Sequence, residues 1–406
     1  MQALLSAIRE LGSERLWLLG VITTGHSIVH WFQQLFPVIL PSIKAGLGLN
    51  DVQVGALATA RQLTAGILNL PTGMLADSLI RYRAFILASS LACMGIAYFL
   101  LGIAPSFTWI LLAALLVGVG TAIWHPAAAA SLSNRFPERR ATALAVHGMG
   151  ATVSDTITPI AVGALLMTFQ WRNFLEFQIV PAMLVALLIW WALAGIFEGA
   201  SSGAPRSQQF RDLRELARNP AFLGLAAANG LMIMGRQVIL TFLPIYLVEH
   251  LGYSTFLLGL YLTLLHVMGT VSQPVLGFLS DRFGRKAVLL PSFLTLGVLY
   301  LLLAAAQPGI QLGIVITAIG LFFYTLLNVT GAAVLDLAGS RSHASSYGLT
   351  ILVTQIFIIP TPIVAGYVVD RYGIISIFFL SAAFQLLAGL VVMPLKLYRG
   401  TRNLSQ

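Results

Sequence analysis

Charge is what this sequence has least of. Of its 406 residues only 9% are Asp, Glu, Lys or Arg, whereas 58% are hydrophobic. Soluble domains carry about 25% charge, so this composition excludes water as the main solvent of the surface. Cysteine is nearly absent as well, and Cys93, standing alone, excludes an internal disulfide and any multi-cysteine metal site. Long polar stretches are missing too: the longest, Glu198 to Pro220, is too short for a soluble catalytic or signalling domain. No small-residue cleavage pattern follows the first fifteen residues. There, Met1, Leu4, Leu5, Ile8 and Leu11 recur at helical spacing between Arg9, Glu10, Glu14 and Arg15, which predicts a short helix on a membrane surface.

What the sequence has in abundance is apolar blocks long enough to cross a bilayer, each of about 20 residues. Twelve are counted. The first six run over residues 16–41, 51–76, 83–103, 107–132, 141–168 and 174–197. The second six run over 221–248, 254–279, 287–306, 310–335, 344–368 and 374–396. The predicted fold is an all-α membrane protein of twelve transmembrane helices in two six-helix bundles, residues 1–197 and 221–406. A cytoplasmic linker, 198–220, joins them.

The formal charge of +9 sits in the short gaps between spans, where it sets topology and does not imply nucleic acid. With both termini cytoplasmic, eighteen of the 23 Lys and Arg fall on the inner side. Lys44, Arg172 and Arg371 fall outside, and Arg61 and Arg236 lie within spans. The halves echo each other: Gly48, Gly55, Gly73 and Asp77 recur 204 positions later as Gly252, Gly259, Gly277 and Asp281. Parallel repeats of six helices are a transporter architecture, so one chain is expected to suffice as a monomer.

Between spans 8 and 9 stands Gly277, Phe278, Leu279, Ser280, Asp281, Arg282, Phe283, Gly284, Arg285, Lys286. This run resembles the G-x-x-x-D-R-x-G-R-R/K signature of the major facilitator superfamily at every fixed position. The first-half loop keeps Gly73, Asp77 and Arg81 but has Ser78 and Ile80 where Arg and Gly are expected. The resemblance implies a gating contact at the cytoplasmic boundary, in which a small residue lets helices approach and the charges pair with helix ends and partners. A narrower resemblance, to the fosmidomycin resistance proteins, rests on Gly118 to Pro126 in span 4 and on Gly25, His26, Phe36, Pro37 and Leu40 in span 1. It implies proton-driven export of a small drug. This chain has Ala127 and His30 where that pattern carries Glu and Asp.

Ionised groups inside a membrane cost about 2.5 to 3.5 kcal/mol each on insertion scales and need a partner or a water-filled cavity. Span 1 carries His26, His30, Gln33 and Gln34, span 2 Arg61 and Gln62, span 4 His125, and span 5 His147 and Asp155. In the second half stand Asn229, Arg236, Gln237, His266, Gln273, Tyr324, Asn328 and Gln355. Spans 3, 6, 9 and 12 have no interior charge or histidine. The expected solute-binding residues are Arg61, Arg236, His26, His30, His125, Gln34, Asn328 and Tyr324. A guanidinium offers a planar fork suited to carboxylate or phosphonate, which predicts an anionic solute. Arg61 bridged to Asp155 is the alternative structural role.

Histidine titrates near neutral pH, so Asp155, His30 and His147 are the expected proton carriers; the other reading of the histidines is hydrogen bonding between helices. Three histidines and a carboxylate make a metal shell conceivable, but the HExxH pattern is absent, so no metal and no cofactor are expected. No nucleophile and base pair or nucleotide loop supports an enzyme. The sequence therefore reads as a proton-coupled secondary transporter of a bacterial inner membrane, exporting a small drug or organic anion. Uptake of a small carboxylate is the runner-up.

Overall fold

The computed structural model describes residues 12–196, 218–338, 350 and 353–397. The predicted surface helix before residue 12 and most of the linker lie outside them. Helices fall within every predicted span, as α1 Ser13–Leu47, α2 Asp51–Ser78, α3 Arg83–Gly102, α4 Phe107–Arg135, α5 Arg140–Leu165, α6 Trp171–Phe177 and α7 Ile179–Leu193. They continue as α8 Pro220–Ile245, α9 Thr255–Phe283, α10 Arg285–Ala305, α11 Ile310–Phe323, α12 Thr325–Ala338, α13 Thr361–Tyr372 and α14 Ser376–Val392.

Among the described residues, eight helical stretches are long and apolar enough to cross a membrane. Helices α1, α2 and α5 are not among them, and these carry most of the histidines of the first half, Arg61 and Asp155. Helix α14, of 17 residues, falls just short in length. Starts are set by short polar side chains: Ser106 caps α4, and Asn219, just before Pro220, accepts the amides of Ala221 at 2.9 Å and Phe222 at 3.4 Å. The echoed pair Gly48 and Gly252 has a conformational cause. Both adopt left-handed backbone, at φ +62° and +67°, where the chain leaves its helix.

Two compact units divide the fold, one of residues 1–47 and 60–204 and another of 48–59 and 205–406. In the first, α3 packs along α4 and α7 while α1 packs along α5. In the second, α14 packs along α8 and α10, and α9 along α11. There the Asp370 carboxylate accepts the amides of Asp51 at 3.1 Å and Val52 at 3.4 Å, meeting the orphan donors at the start of α2.

The α1–α5 seam positions most of the polar side chains. A Cβ added at Gly150 of α5 would lie 2.5 Å from the Thr23 carbonyl oxygen of α1, so only glycine permits this approach. Ser27 then donates to the Gly150 carbonyl at 2.9 Å. Gly148, two residues away, faces open space. Gly150→Ala should therefore lower the unfolding midpoint of the purified protein in detergent, at a cost of about 1–3 kcal/mol. Gly148→Ala should leave it unchanged or raise it slightly. Equal effects of the two in a thermal-shift assay would contradict the seam.

Candidate functional site

Helix α1 presents His26 and His30 one turn apart on the face that meets α5, and α4 brings His125 beside them. The His26 Nδ1 donates to the His147 carbonyl at 2.9 Å, since a carbonyl can only accept. The His30 Nδ1 meets the Asp155 Oδ1 at 2.8 Å, and that of His125 donates to the Thr121 carbonyl at 3.1 Å. Gln34 donates to the same Asp155 oxygen at 2.9 Å. Asp155 is buried and thereby tied to two side chains of α1. The His26 ring lies edge-on to His30 and His125, with centroids 4.6 and 5.3 Å away. His147 stacks on it nearly parallel, at 3.8 Å and 9°.

Arg61 does not reach Asp155. Its Nη1 donates to the Gln33 carbonyl at 3.2 Å, and its guanidinium lies 4.7 Å from the Phe36 ring centre. Pro37 explains the acceptor: it has no amide to offer the carbonyl four residues earlier, which is that of Gln33. Pro126 has the same effect on Ala122, whose carbonyl takes the Thr72 hydroxyl at 2.8 Å. These prolines join neighbouring helices through carbonyls they leave free.

In the second unit Arg236 of α8 rests on two aromatic faces, 4.4 Å from the centre of Phe323 and 4.8 Å from that of Tyr324. Tyr324 stands at the break between α11 and α12, and its hydroxyl is hydrogen-bonded to the His266 Nδ1. Asn328 donates to Gln273 at 3.0 Å. Among the described residues no carboxylate pairs with either Arg61 or Arg236. Both guanidinium charges are held by π faces and, for Arg61, one carbonyl.

The sequence pointed to Arg61 and Arg236 but not to what holds them. Phe36, Phe323 and His266 act through contacts between helices, which spacing along one helix does not reveal. The structure gathers His26, His30, His125, His147, Asp155 and Gln34 into one cluster, and Arg236 with Tyr324 into another. Asn328 is turned instead to Gln273.

A family model described as Major Facilitator Superfamily matches residues 22–272 and 225–404. The chain belongs to the Major Facilitator Superfamily. It is a membrane transporter and not an enzyme. It is 24% identical over 346 residues to an MFS-type transporter of Bacillus subtilis (strain 168), YfnC, covering 82% of each chain. It is 23% identical over 297 residues to the fosmidomycin resistance protein of Escherichia coli (strain K12), covering 71% of each. A solved mutant of the nucleoside transporter NupG superposes with a TM-score of 0.78 at 15% identity, over 94% of this chain and 100% of that one, and shows the fold alone.

The superfamily loop motif is built around Arg285. It pairs with Asp281 one turn earlier, with Asp336 Oδ2 at 2.8 Å and with Ser280 Oγ at 3.0 Å, so the loop is clasped to α12. Arg282 lies over the Phe283 ring at 5.5 Å. Among the described residues nothing lies within 4 Å of a Cβ added at Gly277, so no close helix approach is seen at that glycine. Gly284 is the constrained glycine, ending α9 at φ +98°. In the first-half loop, a Cβ added at Gly73 would make only ordinary contact with Pro126, at 3.5 Å, and Arg81 lies 6.0 Å from the Tyr82 ring. The Asp77 side chain lies outside the described residues. Buried Arg83 takes the anchoring place, donating to the Ala76 carbonyl at 3.0 Å.

Gly284→Ala should destabilise the protein by about 1–2 kcal/mol, the cost of a side chain in left-handed backbone, whereas Gly277→Ala should be near neutral. Thermal unfolding of both variants checks this. A larger loss at Gly277 than at Gly284 would contradict it.

Proposed function

We propose that the protein is a proton-coupled secondary transporter that exports a small drug or organic anion by alternating access from a bacterial inner membrane, with both termini cytoplasmic and one chain as the working unit. The observation that carries the anionic preference is a pair of guanidinium groups, Arg61 and Arg236, resting on aromatic faces with no acid neutralising them among the described residues. A permanently charged, desolvated fork gains most from a carboxylate or phosphonate that completes its hydrogen bonds. Direction follows the relative named a fosmidomycin resistance protein. Proton coupling is proposed from family resemblance and not from the titration of any one side chain.

Gln34 and Asn328 are engaged by Asp155 and Gln273, and the proposed solute contacts include Arg61 in the first unit and Arg236 and the Tyr324 ring in the second. The Arg285 clasp is the proposed cytoplasmic gate, able to hold one conformation and release in another.

In proteoliposomes, Arg236→Gln and Arg61→Gln should each weaken apparent affinity for an anionic solute about ten- to hundredfold, the scale of a lost charge-assisted hydrogen bond. A neutral solute should change less than about twofold on the same scale. Equal losses for both solutes would overturn the anionic reading. Addition of a transported solute should also move protons across the wild-type membrane, and its failure to do so would remove proton coupling. A susceptibility panel separates export from uptake: unchanged tolerance with gained growth on an organic acid selects the runner-up.

A further inference from the structure

We propose that His26, His30 and His125 form a binding site for a divalent transition-metal ion within the first unit. One ring nitrogen of each lies within 4.8 Å of those of the other two, and the ligands come from two helices, α1 and α4. The sequence shows only the His26–His30 spacing. The third ligand is a neighbour in space, which is why the HExxH test did not find it.

The hydrogen bonds of the three rings favour an ion over a network among themselves. Each Nδ1 faces outward to a protein oxygen: the His147 carbonyl, the Asp155 carboxylate and the Thr121 carbonyl. With the proton fixed on Nδ1, every Nε2 presents a lone pair, and none of the three rings donates to another. Metal-ligating histidines show this pattern, with the second nitrogen donating to a carboxylate or carbonyl that fixes tautomer and orientation. His30 and Asp155 supply its carboxylate form.

The Nε2 of His26 is buried and has no hydrogen-bond partner, and its residue is only 6% exposed. A buried lone pair without a partner costs free energy that an ion would recover. Metal sites in helical bundles are commonly built in this way, from inward side chains on facing helices.

Imidazole selects zinc, cobalt, nickel or copper over calcium and magnesium, which prefer oxygen. Bonds of about 2.0–2.1 Å in a tetrahedral shell place ligand atoms about 3.4 Å apart. The ring nitrogens, now within 4.8 Å of one another, would draw together on binding. Three imidazoles leave a fourth position for water or an anionic group of the solute. His147 stacks on the His26 ring and is not part of the group of mutually close ring nitrogens. The inference is independent of the solute reading and gives the cluster an occupant other than the proton expected from sequence.

The test uses full-length protein in detergent, stripped with chelator, loaded with zinc, desalted and measured by elemental mass spectrometry and calorimetry. Wild type should hold one zinc per chain, and cobalt should give the visible absorption of nitrogen-bound tetrahedral ions. His26→Ala, His30→Ala and His125→Ala should each bind at least tenfold more weakly. Asp155→Asn should lose about ten- to hundredfold through the ring it orients, and His147→Ala should keep one equivalent. Thermal shift guards against misfolding: zinc should raise the midpoint of wild type and of His147→Ala, but not that of His30→Ala. Wild type that holds no zinc, or ligand variants that hold it as wild type does, would overturn the site whether or not the protein transports anions.

Discussion

The approach of α1 to α5 at Gly150 is the contact on which the polar interior of the first unit depends. Within hydrocarbon, side chains that cannot be solvated must be satisfied by neighbouring helices, and they reach each other only where backbones come close. Glycine at 150 brings α5 against the Thr23 carbonyl. Along the same seam His26 meets the His147 carbonyl, and His30 and Gln34 meet Asp155. A wider seam would strand a carboxylate and two imidazoles together.

Proline completes the design. Pro37 and Pro126 are usually read as kinks, yet in this chain their main result is a carbonyl released from its own helix and taken by a side chain of α2, Arg61 in one case and Thr72 in the other. The same device positions a charged group and ties helices together. In the second unit Arg236 is held without such a carbonyl, on the faces of Phe323 and Tyr324 at a helix break. Discontinuous helices are where transporters commonly place their solute sites.

Much of this was legible in the sequence. Apolar blocks located the helices, the loop signature identified the superfamily, and the rarity of intramembrane charge drew attention to Arg61, Arg236 and Asp155. Partners were not legible, because a hydrogen bond between α1 and α5 joins residues 125 apart, as His30 and Asp155 are. The helices that carry most of the polar cluster and Arg61, α1, α2 and α5, are also those outside the most apolar set. The loop motif shows a further limit. Its two glycines look equivalent in sequence, but only Gly284 has a backbone that demands glycine.

The central claim is that unneutralised guanidinium charge selects the solute. A thermal-shift screen of the purified protein against matched small carboxylates, phosphonates, amines and neutral analogues tests it most directly, because a bound ligand stabilises by RT ln(1 + [L]/Kd). The account predicts stabilisation by members of the anionic set, lost when the anionic group is esterified. Stabilisation by amines or neutral analogues alone would contradict it.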